Sequence, residues 1–161
     1  MVFPEKLKAG DTIGLAAPAF PVSKEKRDAG AALLERMGYH VAMGRCLKEL
    51  YNFHGYLAGD AKERAMDLNR MFADPEIKAI FCARGGYGSA HIMKYLDYEL
   101  IRKNPKIFVG YSDLTNLHSA LNQICGLVTF HGPMVVSNML SDYDDYSRES
   151  LKRALERSEE R

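Results

Sequence analysis

Five short apolar runs, at residues 12–17, 39–43, 77–83, 106–109 and 127–130, recur along this 161-residue chain and alternate with segments of helical period. A strand that is apolar almost throughout has to be covered on both faces, and a parallel sheet between two helical layers provides that cover. The intervening segments carry their own start and stop signals. Ser23 opens a helix with Ala29, Ala32, Leu33 and Met37 at helical spacing, and Gly38 stops it. Asp60 and Glu63 form a capping box ahead of Ala61, Ala65, Leu68 and Phe72, in a helix closed by Asp74 and Pro75. Short helices are expected through Ile92 and Leu96 and over 98–103, a longer one over 112–125, and a last one over 147–157. Residues 44–59 read as an irregular, aromatic-rich loop, of a length that usually signals function or packing on itself. The expected fold is α/β: a three-layer domain with a mainly parallel sheet over residues 1–157, with 158–161 beginning a linker.

An apolar fraction of 47% and a charged fraction of 27% are those of a soluble globular domain. A net charge of +1, with no Lys/Arg cluster, leaves no electrostatic footprint for nucleic acid. No run approaches the ~18 apolar residues of a membrane span. Residues 1–6 lack the basic-then-apolar order of a signal peptide. Cys46, Cys82 and Cys125 are odd in number and widely spaced, and read as reduced, buried small hydrophobes in a cytoplasmic protein. The histidines show no metal-ligand spacing, so neither a metal nor another cofactor is expected.

In sheets of this kind, ligands bind beyond the carboxyl ends of the strands. Four segments should meet on that rim: Pro18-Ala19-Phe20, Arg84-Gly85-Gly86-Tyr87-Gly88-Ser89, Gly110-Tyr111-Ser112-Asp113 and His131-Gly132-Pro133. The third places a serine at a strand-to-helix corner, which is how α/β hydrolytic enzymes expose a nucleophile near a helix N-terminus. Leu114 stands where that fingerprint has glycine, and an ordinary helix cap by Ser112 or Asp113 is a competing reading. The glycine-rich segment offers backbone N–H groups to an anion, either a phosphate or the oxyanion of acyl transfer. It matches neither a Walker loop nor the full dinucleotide fingerprint, and a tight turn needing positive φ is its other reading. A base is harder to find. His118 lies six residues beyond Ser112, about 240° around a helix axis and out of reach. His131 shares the rim, though a hydrogen-bonded structural role competes there. Asp113 points away from its neighbour and cannot orient a base.

Leu15-Ala16-Ala17-Pro18, Arg84-Gly85-Gly86-Tyr87-Gly88, Gly110-Tyr111-Ser112-Asp113-Leu114-Thr115 and His131-Gly132-Pro133, in this order and spacing, resemble the LD-carboxypeptidases. These are the muramoyltetrapeptide carboxypeptidases and the related microcin-immunity peptidases, and the resemblance covers residues 3–155. It implies a serine peptidase with a Ser-Glu-His triad in which Ser112 is the nucleophile. The implied oxyanion donors are the backbone N–H groups of Asp113 and of Gly86, with Gly85 as the alternative. Arg84, Tyr87 and His131 would contact the substrate, a murein tetrapeptide or similar peptide cut before a terminal D-amino acid. The resemblance further implies a C-terminal domain, absent from this chain, that supplies the glutamate and the histidine. Ser112 is therefore expected to be unactivated in these 161 residues. Phe20, Tyr87, Met134, Tyr51, Phe53 and Tyr56 would form an apolar rim against that domain, or between two copies in a homodimer. The alternative function is a non-catalytic α/β module that holds a peptide or a phosphate.

Overall fold

The apolar runs pair side by side, and every pairing is parallel. The structure, a computed structural model, describes residues 1–156, so residue 157 and the linker expected over 158–161 lie outside the described residues. Strands β1 (Thr12–Ala16), β2 (His40–Met43), β3 (Ile77–Cys82), β4 (Ile107–Gly110) and β5 (Phe130–His131) form one sheet in the order β2-β1-β3-β4-β5. Between and after them lie helices α1 (Lys24–Arg36), α2 (Arg45–Lys48), α3 (Ala61–Ala73), α4 (Ser89–Ile92), α5 (Tyr98–Lys103), α6 (Thr115–Cys125) and α7 (Asp145–Glu156).

Alternate strand residues feed two separate cores, which explains why both faces had to be apolar. Leu15, Phe81 and Val109 pack with Leu34 of α1 and with Leu151 and Leu155 of α7. Ile80, Cys82 and Phe108 pack with Leu68 and Phe72 of α3 and with Leu117 and Leu121 of α6. The three layers follow directly. Cys46, Cys82 and Cys125 are all free and buried. No helix among the described residues is long and apolar enough to cross a membrane.

Local signals set the helix ends. Ser23 Oγ accepts from the Lys26 N–H, and Gly38 takes φ +98° just past the end of α1. Both bonds of the Asp60/Glu63 capping box are made, at 2.8 and 2.9 Å. Departures from expectation occur where tertiary contacts decide. The fifth strand is reduced to two residues because Leu127 bridges instead to Val2. The loop over 44–59 contains the short helix α2, whose Cys46 N–H donates to the buried Asp67 carboxylate at 2.8 Å. After Pro133 the chain makes a π-helical turn, Val135–Met139, that the sequence pattern does not announce. Packing specifies it: Val135 lies against Gly30 of α1, where a Cβ would come within 3.0 Å. The same turn buries Met134, which was expected on the exposed rim.

The sheet order places β1 between β2 and β3, so the chain reverses its direction of winding at the β1/β3 boundary. The crevice at such a boundary is where open α/β sheets bind ligands. It is flanked by the turns after β1 and β3.

Removing one fully buried ring should show how much the second core contributes. Phe108→Ala is expected to cost roughly 3–5 kcal/mol in urea unfolding. Tyr146→Ala, at a side chain 77% exposed, should stay within about 0.5 kcal/mol.

Candidate active site

Parallel pairing of β3 with β4, in the register Phe81 to Val109, delivers two turns side by side to the carboxyl rim. The turn after β4 carries Ser112 at φ +61°, a left-handed conformation that residues with side chains rarely adopt. The surroundings hold it there. Gly110 is buried in the sheet, and its carbonyl accepts from His118 Nε2 at 2.7 Å and from the Gly132 N–H at 3.1 Å. The other ring nitrogen of His118 meets the Thr129 hydroxyl at 2.7 Å, so both nitrogens are engaged. Nε2–H donates to the carbonyl, and Nδ1 meets a hydroxyl that can donate to the neutral ring or accept from the charged one. Burial lowers the pKa of His118 below its ordinary value, and nearby His131 acts in the same direction.

Neither Ser112 nor Asp113 occupies a cap position: the N-caps of the Ser112–Leu114 turn and of α6 are Tyr111 and Leu114. The Asp113 carboxylate reaches across instead and accepts from the Ser89 N–H at 2.9 Å. Ser89 Oγ returns a bond to the Asp113 carbonyl at 2.5 Å, and Asn116 Nδ2 donates to the same carbonyl at 2.9 Å. These bonds fasten the start of α4 to the serine turn.

The glycine-rich segment occupies the adjacent position. A Cβ built on Gly85 would lie 3.5 Å from Ser112 Cβ, so the two backbones are neighbours. Gly86 has φ +122°, and a Cβ there would fall 2.3 Å from the Phe20 ring. Only glycine satisfies both the dihedral and the space. Among the described residues the Gly86 N–H donates no hydrogen bond. Here the tight turn and the close approach of backbone to a neighbour are one geometry.

The remaining expected residues divide between the two sides of Ser112. Arg84 stacks over Phe20, its guanidinium carbon 5.3 Å from the ring centroid. Tyr87 is 50% exposed and continues an aromatic row, 6.3 Å from Tyr56 and 5.3 Å from His91. His131 lies on the opposite side, on β5, exposed, with its ring 5.8 Å from that of Tyr111. Beyond it runs a groove of about 670 Å³ bordered by Tyr111, His131, Asn138 and Tyr143.

Sequence reasoning missed Arg64. It is 1% exposed on α3, and donates from Nε to the Gly59 carbonyl and from Nη1 to the Pro18 and Gly88 carbonyls, at 3.0, 2.6 and 2.9 Å. One guanidinium thus ties together three loops. The available signal was an arginine on the helix face otherwise occupied by Ala61, Ala65, Leu68 and Phe72.

With this geometry in view, likeness to known proteins becomes informative. Residues 13–132 match the model of the LD-carboxypeptidase N-terminal domain. The chain belongs to the LD-carboxypeptidase family. It is 47% identical over 157 residues to the probable murein peptide carboxypeptidase of Bacillus subtilis, covering 97% of this chain and 48% of that protein. It is 35% identical over 130 residues to the murein tetrapeptide carboxypeptidase of Pseudomonas aeruginosa, covering 80% and 41% respectively. The crystal structure of an MccF-like protein from Bacillus anthracis superposes with a TM-score of 0.87 at 36% identity, covering 96% of this chain and 47% of that one. The chain therefore spans about half the length of the curated relatives it matches.

Two expectations follow for the LD-carboxypeptidase rim. Gly86→Ala must adopt positive φ and displace Phe20, and should lose at least about 1–2 kcal/mol in denaturant unfolding. His118 has a folded pKa below its unfolded value of 6.5. Between those two values the unfolded chain holds a proton that the folded chain lacks, so stability present above 6.5 falls as the pH falls. His118→Gln should flatten this part of the stability profile measured between pH 7 and 5.

Proposed function

We propose that Ser112 is the nucleophile of a serine carboxypeptidase that releases the terminal D-amino acid from murein tetrapeptide or a similar cytoplasmic peptide. The observation that carries this reading is the left-handed Ser112 at a strand-to-helix corner, directly beside Gly85. Such a corner pushes the hydroxyl out of the strand line toward a substrate. The backbone N–H groups of Asp113 and of Gly86, or Gly85, would receive the tetrahedral oxyanion, a preorganised arrangement that costs no reorganisation during reaction. Arg84 and Tyr87 on one side and His131 with its groove on the other are the proposed substrate contacts. Arg84 supplies a fixed positive charge suited to a peptide carboxylate. Murein peptide as substrate rests on the names of the Bacillus and Pseudomonas relatives.

A serine hydroxyl needs an adjacent base. Both nitrogens of His118 are committed elsewhere, and Ser112 makes no side-chain hydrogen bond among the described residues. The glutamate and histidine of the triad are therefore proposed to come from outside these 161 residues. Loss of a whole triad slows a serine protease by on the order of 10⁶-fold.

Release of D-Ala from murein tetrapeptide by the 161-residue chain alone should be undetectable beside that of a complete family member. Adding a polypeptide equivalent to the second half of the relatives should restore release, together with labelling by a fluorophosphonate. Ser112→Ala should abolish both. Full-rate release by the chain alone would make His131 the base. Peptide binding with no labelling in the reconstituted protein would favour a module that holds its ligand without cutting it.

A further inference from the structure

Arg64 is buried without a carboxylate at ion-pair distance among the described residues, and its Nη2 has no hydrogen-bond partner among them. An unpaired buried cation is costly, and a guanidinium does not shed its proton to escape that cost. Such a group persists when something in the fold uses it. Burial is the dominant influence on this guanidinium, and Asp113 is one of the groups opposing that influence. No direct hydrogen bond joins the two side chains. A single peptide unit lies between them. The Gly88 carbonyl accepts from Arg64 Nη1 at 2.9 Å, and the N–H of the next residue, Ser89, donates to Asp113 Oδ2 at 2.9 Å. Carbonyl and amide belong to one peptide bond, whose dipole thus has a cation at its negative end and an anion at its positive end.

We propose that Arg64 is a positioning residue which, together with Asp113, grips the Gly88–Ser89 peptide from both ends and so sets the glycine loop at its working separation from Ser112. The Gly88 position is built for this contact. Its φ is +101°, and a Cβ would lie 2.7 Å from Leu57 and 3.3 Å from Arg64 Nη1, so a side chain would push the guanidinium away. The remaining donors of Arg64 hold Pro18, beside Phe20, and Gly59 at the end of the aromatic loop. Phe20 in turn covers Gly86, and its N–H donates to the Gly85 carbonyl at 3.3 Å. The guanidinium thus reaches the proposed oxyanion loop along two routes, through Gly88 and through Phe20. Lysine cannot substitute for it, because a point ammonium lacks the fork that meets three carbonyls in fixed directions. The meaning of this role for catalysis rests on the proposed function, whereas the clamp itself does not.

Residue-resolved amide exchange on the chain tests the clamp without any turnover. Arg64→Lys should reduce protection at Phe20, Ser89 and His91 by on the order of tenfold more than at Ile80 and Val109 in the sheet. Asp113→Asn keeps an acceptor but removes the charge, and should reduce protection at Ser89 selectively. Because both side chains act on one peptide, the double variant should lose less protection than the product of the single losses. Protection that falls equally in loops and sheet, or losses that simply multiply, would overturn the proposal. Should Arg64→Lys not fold, the Arg64 Nε–H resonance in Asp113→Asn decides. A shift is expected although the two side chains do not touch, and an unmoved resonance would refute the coupling. Failure of Ser112 labelling with an intact clamp would count against the proposed function alone.

Discussion

The parallel pairing of β3 with β4 is the constraint from which the rest of the rim follows. Parallel neighbours end at the same edge, about 4.8 Å apart, so the turns after them must share a small volume. Helices cover both faces of the sheet, which leaves each turn little room to swing away. Gly85 therefore lies beside Ser112, and Gly86 takes the space beneath Phe20 that no side chain could share. The left-handed Ser112 and the positive-φ glycines are two consequences of one crowding.

Crowding at the end of a buried sheet also strands polar backbone groups, and side chains answer them. His118 serves the Gly110 carbonyl, Asp113 serves the Ser89 amide, and Arg64 serves the carbonyls of Pro18, Gly59 and Gly88. Each of these side chains belongs to a different element from the group it serves, so the bonds cross between loops. A network satisfied in this way is stiff, because releasing any member leaves a buried polar group without a partner. The Ser112 hydroxyl stands outside it. The result is a rigid frame around one uncommitted hydroxyl, and preorganisation of that kind is what the proposed site would need. Activation of the hydroxyl is a separate requirement, and both nitrogens of His118, the nearest histidine in sequence, are engaged with Gly110 and Thr129.

Much of this was legible from residue order. Strand runs at 12–17, 77–83 and 106–109 were visible because burial on both faces demands uninterrupted apolar residues. The box at Asp60 and the stop at Gly38 were visible because helix ends must satisfy their own backbone groups locally. The four rim segments could be named because turns after strands are rich in glycine, proline and small hydroxyl residues. The π-helical turn at Val135–Met139, the burial of Met134 and the bridge from Leu127 to Val2 were not legible. Each is set by a partner far away in sequence, whose position no local pattern encodes.

The same division runs through the candidate site. Sequence alone determined the layered α/β architecture, the serine corner and the glycine loop, because each follows from short-range rules about burial, dihedral freedom and spacing. Tertiary structure alone decided that Asp113 reaches across to Ser89, that His118 turns to Gly110 and Thr129, and that Arg64 sits beneath three loops. A charged side chain reads in sequence as solvent-facing until the fold surrounds it with carbonyls. Which carbonyls those are depends on where separate strands end, and only the assembled sheet determines that.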